Sequence, residues 1–257
     1  MSNLFSVAGR TALVTGGSRG IGLMIARGFV EAGARVYVSS RKADVCEQVA
    51  AELGQLGECV AVPADLSTED GCRGLAETVS AREDGRLDIL VNNAGATWGA
   101  PFDEFDDAAW DRVLDLNVKG VFHLTRFLRP ALAAAATAES PSRVVNIGSV
   151  DGIRVPSLET YSYSASKAAV HHMTHVLADR LAPDHITVNA IAPGPFESKM
   201  MAATLATWGD AIRGEIPLGR IGEPDDMAGA AIFLCSRAGA YVTGAVLPVD
   251  GGIVGTR

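Results

Sequence analysis

The stretch TALVTGGSRGIG, Thr11 to Gly22, decides how the rest of the chain is read. A short apolar run passes into a glycine-rich turn, and the turn passes into residues that can begin a helix. Over 22–32, Ile25, Phe29 and Val30 recur at helical spacing and share one face. A glycine turn between a strand and a helix lets backbone N–H groups approach a pyrophosphate, and the helix dipole favours that anion. The spacing is Gly16-x3-Gly20-x-Gly22, so the common G-x-G-x-x-G pattern is absent. A tight structural turn would also use glycine, so the reading depends on what else the chain carries.

Six further apolar runs follow: ARVYVSS (34–40), CVAVPADL (59–66), LDILVNNAG (87–95), RVVNIGS (143–149), ITVNAIAPG (186–194) and AVLPVDGG (245–252). Near-continuous apolar strands suit a parallel sheet covered on both faces. Helical patterns such as 165–181 alternate with them. The expectation is an α/β fold of Rossmann type, a doubly wound seven-stranded parallel sheet with helices on both faces. No linker or repeat divides the chain, and ALAAAATAESPS (131–142) is the nearest thing to a flexible insert. A single domain over 1–257 is expected, with a lid segment at about 196–218.

Composition removes several function classes. With 48% hydrophobic and 20% charged residues among 257, the chain is globular rather than disordered. It has no signal-peptide pattern and no apolar run of about 18 residues, so a cytoplasmic protein with no membrane partner is expected. Four cysteines without a C-x-x-C pair read as reduced thiols. A net charge of −8, with Arg41–Lys42 as the longest basic cluster, argues against nucleic-acid binding. His171, His172 and His175 lack a zinc-site pattern and read as helix-surface or subunit-contact residues, so no metal is expected. The acidic run DEFDD (103–107) reads as a solvated approach to a helix.

Motifs TGGSRGIG (15–22), AD (64–65), NNAG (92–95), LNV (116–118), Ser149 in NIGS, YSASK (163–167), PG (193–194) and VDGG (249–252) occur in that order. In this the chain resembles the short-chain dehydrogenase/reductase family over essentially its whole length. TWGA after NNAGA, and IGSV with its following loop, are most similar to bacterial 3-oxoacyl-thioester reductases of the rhamnolipid-synthesis type. The resemblance implies a nicotinamide cofactor held by Gly16, Ser18, Arg19, Gly20, Ile21 and Gly22 and by Asp65 and Leu66. It also implies contacts from Asn92, Ala94 and Gly95 on the adenosine side, and from Pro193, Gly194, Phe196 and Ser198 around the carboxamide. NAD-preferring relatives carry an acid at the end of the second strand; here Ser40, Arg41 and Lys42 stand there, with Arg19 nearby in the turn. A carboxylate would repel a 2′-phosphate that a guanidinium binds, so the cofactor expected is NADP(H).

TYSYSASKAAV (160–170) offers two tyrosines. On a helix, Tyr163 shares a face with Lys167 four residues on, whereas Tyr161 meets Ala165. A fixed ammonium stabilises a phenolate, so Tyr163, also in contact with cofactor and substrate, is the expected proton donor. Tyr161 reads as a wall residue. Ser149, with Ser157 and Ser162 as alternatives, would orient the substrate carbonyl. By resemblance Asn117 holds a water against Lys167, unless it merely caps or kinks its helix. Asp151, Trp98, Met200 and Trp208 complete the expected substrate wall. The implied reaction is NADPH-dependent reduction of a ketone, that of a 3-oxoacyl thioester or a similar apolar ketone, to a secondary alcohol by a homotetramer. A non-catalytic nucleotide sensor and an NAD-dependent sugar or polyol dehydrogenase are the rival readings.

Overall fold

The computed structural model describes residues 4–197 and 202–256, with the backbone alone for 202–208. Seven strands form one parallel sheet: β1 (Thr11–Thr15), β2 (Arg35–Ser39), β3 (Cys59–Ala61), β4 (Ile89–Asn92), β5 (Ser142–Ile147), β6 (Ile186–Pro193) and β7 (Val246–Val249). Their order is β3-β2-β1-β4-β5-β6-β7, with β1 matched residue for residue to β2 from Thr11↔Arg35 to Thr15↔Ser39. All the expected strands are present. The third is shorter than its apolar run, because Pro63 has no N–H to give and only single bonds, Val62 N–H to Val38 and Ala64 N–H to Ser40, continue beside β2.

Helices α1 (Gly20–Glu31), α2 (Ala43–Leu53) and α8 (Pro224–Cys235) cover one face; α3 (Glu69–Arg82), α5 (Val121–Ala135) and α6 (Tyr161–Leu181) cover the other. Successive strand residues serve opposite cores: Ala12 and Val14 pack with Phe29 and Leu234, while Leu13 packs with Leu75 and Leu128. Both faces are therefore apolar, which is why the strands read as unbroken runs. The alanine-rich stretch is mostly helix, since α5 extends to Ala135 and only 136–141 remain irregular before β5. Helix α4 (Asp107–Leu114) is capped by the Asp106 side chain on Ala109 N–H at 2.9 Å, which gives the acidic run a local purpose. Between α4 and α5 lies a π-helical turn, Asp115–Gly120. Helix α7 (Ala202–Glu215) occupies most of the expected lid.

The chain leaves β1 for β2 and β3, then returns to start β4 on the other side of β1. That reversal opens a crevice at the carboxyl ends of β1 and β4, where an open α/β sheet receives its ligand.

At the opposite end of the sheet Glu83 accepts hydrogen bonds from Tyr37 Oη, Arg35 Nη1 and Thr11 Oγ1. Burial pushes its carboxyl up, but these donors outweigh burial and hold it below the usual range. A depressed carboxylate contributes stability above its unfolded value, and that stability is lost as pH falls through the folded value. Glu83→Gln should therefore cost about 1–3 kcal/mol at neutral pH. Thermal melts of both proteins should show the gap closing as the solution is acidified below the ordinary carboxylate range.

Candidate active site

The glycine turn follows β1 and feeds the first turn of α1. Gly16 and Gly20 have φ of +63° and +53°, and a Cβ at Gly22 would lie 2.4 Å from both Gly16 O and Asn93 Nδ2. No side chain fits there, so the backbone itself faces the crevice. The N-terminus of α1 has no side-chain cap and no acidic residue in its first turn, which leaves its amides and dipole available to an anion. The turn is held from behind by two residues that motif spacing did not single out. Asn93 Nδ2 donates to the Thr15 and Gly16 carbonyls, and Thr15 Oγ1 accepts from Asn93 and Ala94 N–H while donating to Val91 O. Asn92 instead turns its amide into the core, toward Thr125 and Asn146 at 3.0 and 2.9 Å. Beside the turn, Thr15, Leu66, Asn92, Ala94, Leu116, Gly120 and Val121 line a small cavity.

At the end of β2, Ser40 is partly buried, and Arg41 and Lys42 are exposed, as is Arg19 across the turn. The register of β1 with β2 sets Thr15 beside Ser39, so both loops open onto the same edge of the crevice. Burial pushes the Asp65 carboxyl up, but the Ser67 N–H and hydroxyl and the nearby Arg41 charge leave it below the usual range.

Beyond β5 the chain places Ser149, largely buried, as the cap of a short turn, with its Oγ accepting from Asp151 N–H at 3.1 Å. Tyr163 lies in the first turn of α6, and Lys167 one turn on has its Nζ 5.5 Å from the Tyr163 ring centroid. The ammonium donates to the Ile147 carbonyl, 2.7 Å away, which ties α6 to the end of β5. Burial pushes the Tyr163 phenol up to about 12; Ser149 hydrogen bonding opposes this and the Asp151 charge adds to it. Burial likewise brings Lys167 down to about 8. In the protein alone, desolvation thus outweighs the expected influence of the lysine on the phenol. Tyr161 is spent elsewhere, its hydroxyl on Glu159 and its ring edge-on to Phe102 and Phe105. Ser162 is buried and donates to Ala109 O at 3.4 Å, away from the tyrosine, and Ser157 is exposed.

The π-helical turn carries Asn117. Its Oδ1 accepts from Ala96 N–H at 2.8 Å, and its Nδ2 donates to Ala96 O and Ser166 Oγ, each at 2.9 Å. Gly95 stands between Asn117 and Lys167: a Cβ there would lie 3.3 Å from Asn117 Oδ1 and 3.8 Å from Lys167 Nζ. Across the crevice, Pro193 ends β6 and Gly194 N–H bonds Val249 O. The Phe196 ring is buried against Gly222, with which its backbone forms an isolated parallel bridge. Trp98 is exposed, with the Arg112 guanidinium 5.2 Å from its ring centroid. Ser198 and Met200 lie outside the described residues, as does the side chain of Trp208.

The histidines divide. His172 and His175 are exposed neighbours, whereas His171 is not the surface residue expected of it: it is buried, 3.4 Å from Ser149 N. Among the described residues no cluster of His, Cys, Asp or Glu could hold a metal ion.

Residues 16–254 match the family model described as enoyl-(acyl carrier protein) reductase. A rhamnolipids biosynthesis 3-oxoacyl-[acyl-carrier-protein] reductase of Pseudomonas aeruginosa is 49% identical over 255 residues, 98% of this chain and 99% of the relative. The chain belongs to the short-chain dehydrogenase/reductase family. A galactitol 2-dehydrogenase (L-tagatose-forming) of Cereibacter sphaeroides is another relative, 39% identical over 97% of this chain and 96% of its own. Among solved structures, the Pseudomonas aeruginosa RhlG/NADP active-site complex superposes with a TM-score of 0.95 at 49% identity, covering 99% of this chain and 100% of that one. The seven-stranded parallel sheet is thus a short-chain dehydrogenase/reductase fold.

The charges around Tyr163 set the sign of two substitutions. Ser149 opposes the rise of the phenol and Asp151 adds to it. Ultraviolet titration of the cofactor-free protein, taken as the difference from Tyr163→Phe, should show this phenol ionising near 12. Asp151→Asn should move that ionisation down and Ser149→Ala should move it up.

Proposed function

We propose that this protein is an NADPH-dependent reductase that turns the ketone of a 3-oxoacyl thioester, or a similar apolar ketone, into a secondary alcohol. The observation that carries the reading is the meeting of Ser149, Tyr163 and Lys167 at the end of β5, across the crevice from a bare glycine cradle. The reductase relative and the NADP complex described above support both substrate type and cofactor. The uncapped first turn of α1 fits a pyrophosphate, and Arg19, Ser40, Arg41 and Lys42, with no acid among them, fit a 2′-phosphate. Asp65, Leu66, Asn92, Ala94 and Gly95 would border the adenosine, and Pro193 to Ser198 the nicotinamide. When bound, the cofactor supplies the hydride.

The rest falls to the chain. Ser149 hydrogen-bonds the substrate oxygen as negative charge develops on it, and Tyr163 Oη delivers the proton. A phenol held near 12 keeps that proton at neutral pH, the state a donor needs. Lys167, near 8, remains mostly protonated at neutral pH and steadies the phenolate left behind. Asn117 has both Nδ2 hydrogens committed and one Oδ1 lone pair free, which suits a water between it and Lys167 on a proton path from solvent.

The mouth of the site is apolar. Val155 and Phe102 are 92% and 73% exposed, and Leu158, Ile153 and Trp98 are also exposed on the loops after β4 and β5. These loops abut where Ala100 N–H bonds Glu159 O. Such a rim suits an acyl chain. Helix α7 and its flanks, 196–218, would close over it, with Met200 and Trp208 as further walls. A second reading, an NAD-dependent polyol dehydrogenase, draws on the galactitol relative and on the Asp151 charge that acts on Tyr163. The basic residues after β2 and the apolar mouth favour the first. Exposed Phe122 on α5 and Val176 on α6 support a homotetramer built partly through those helices. No helix among the described residues is long and apolar enough to cross a membrane.

Turnover of a 3-oxoacyl-CoA, followed by loss of NADPH absorbance, tests the reading. Tyr163→Phe should lower kcat by about 100- to 10,000-fold, the usual yield of a positioned acid. Tyr161→Phe should stay within about twofold of wild type, since its hydroxyl reaches only Glu159. Full activity in Tyr163→Phe would remove the mechanism.

The surface makes a further distinction within this substrate class. An acidic carrier protein needs basic residues near the entrance. Arg129 is bound to Asp184 at 2.6 Å, and Arg126 lies 3.7 Å from Glu69, with a net charge of −8 around both. The same 3-oxoacyl chain should therefore be reduced on CoA at least as well as on a carrier protein, by kcat/KM at low and high salt. A carrier preference that fades with salt would expose a basic docking patch elsewhere.

A further inference from the structure

One buried titratable group beside the reacting residues has no part in the chemistry above. His171 is 7% exposed and lies one helical turn beyond Lys167 on the inner face of α6. Its Nε2 accepts the backbone N–H of Ser149 at 3.4 Å. The chain is shaped to let the ring in: a Cβ at Gly148 would lie 2.0 Å from Nε2, and one at Gly152 would lie 2.9 Å from Cε1. The segment carrying the serine thus wraps an imidazole with a glycine at each end. Burial brings His171 down to about 4, helped by the Lys167 charge and opposed by a backbone hydrogen bond to Gly152. The ring is therefore neutral at physiological pH, and Nε2 is the nitrogen without a proton.

We propose that His171 is a positioning residue for Ser149, a neutral imidazole that fixes the serine backbone to the helix bearing Tyr163 and Lys167. This role for His171 rests on the reductase function proposed above. Lys167 bonds Ile147 O and His171 bonds Ser149 N–H, so α6 grips the chain on both sides of Gly148. With both bonds in place, the serine hydroxyl and the phenol share one rigid frame. Loss of the second frees the serine side of that frame while leaving the glycine cradle on β1 untouched.

The test compares His171→Leu, which fills the space without an acceptor, with His171→Gln, whose amide oxygen can replace Nε2. His171→Leu should lower kcat on the order of 10- to 100-fold, the cost of a reacting group displaced by about 1 Å. KM for the ketone and the Kd of NADPH, read by fluorescence, should stay within about twofold. His171→Gln should recover most of kcat. Wild-type kcat in His171→Leu, or equal losses of kcat and thermal stability in both variants, would overturn the proposal. Imidazole ¹⁵N shifts of the wild-type protein provide a readout independent of activity: an Nδ1-protonated ring is expected, and an Nε2-protonated ring would overturn the proposal. Ser149→Ala separates the two levels. If it retains full turnover, the role of the serine falls, while the ring nitrogen assignment still decides whether His171 holds its backbone.

Discussion

The geometry at the carboxyl edge of the sheet depends on the amide of Asn117. Three hydrogen bonds join it to both backbone groups of Ala96 and to Ser166 Oγ, which in turn donates to Tyr163 O. One side chain thereby connects the loop after β4, the α4–α5 rod and the first turns of α6. It can do so because the rod is interrupted by a π-helical turn at Asp115–Gly120, which turns Asn117 inward. The bond to Ser166 is buried and the two to Ala96 are partly so, and an unmade partner would carry a cost of desolvation. That cost is what makes the arrangement specific.

A second constraint is steric. Gly16 and Gly22 approach so closely that Asn93 and the turn carbonyls occupy all the room a side chain would need. The amides at the start of α1 are consequently presented bare, with Thr15 and Asn93 fixing the strand behind them. Because β1 and β4 part at the reversal of strand order, this surface lines a crevice and not a packed interface.

Desolvation acts in opposite directions on the two groups proposed to move the proton. It raises the phenol to about 12 and lowers the ammonium to about 8, so at neutral pH burial keeps the phenol protonated and brings the ammonium closer to losing its proton. The Ile147 carbonyl gives the ammonium a fixed acceptor, and the Ser149 hydroxyl is the one partner that pulls the phenol downward. The serine is thus part of the electrostatics of the tyrosine as well as the ligand proposed for the substrate oxygen.

The sequence alone determined the class of fold and the pairing of Tyr163 with Lys167 on one helix. Seven apolar runs spaced by helical patterns leave few ways to bury both strand faces, and the spacing of Tyr163 and Lys167 puts them on one helical face whatever surrounds them. The glycine turn was legible because only glycine tolerates so close an approach. Other features were settled by contacts between residues far apart in sequence. Asn92 and Asn93 are adjacent and chemically identical, yet one faces the core and the other the glycine turn, because strand alternation and the partners Thr125 and Thr15 separate them. His171 read as a surface residue because nothing local reveals that Gly148 and Gly152 leave a hollow for its ring. The order of the phenol's influences was also out of reach, since burial of Tyr163 exists only once β5, α6 and the Ser149 loop have packed together. Periodicity and steric exclusion are local and can be read from the chain, whereas desolvation and long-range hydrogen bonding belong to the folded whole.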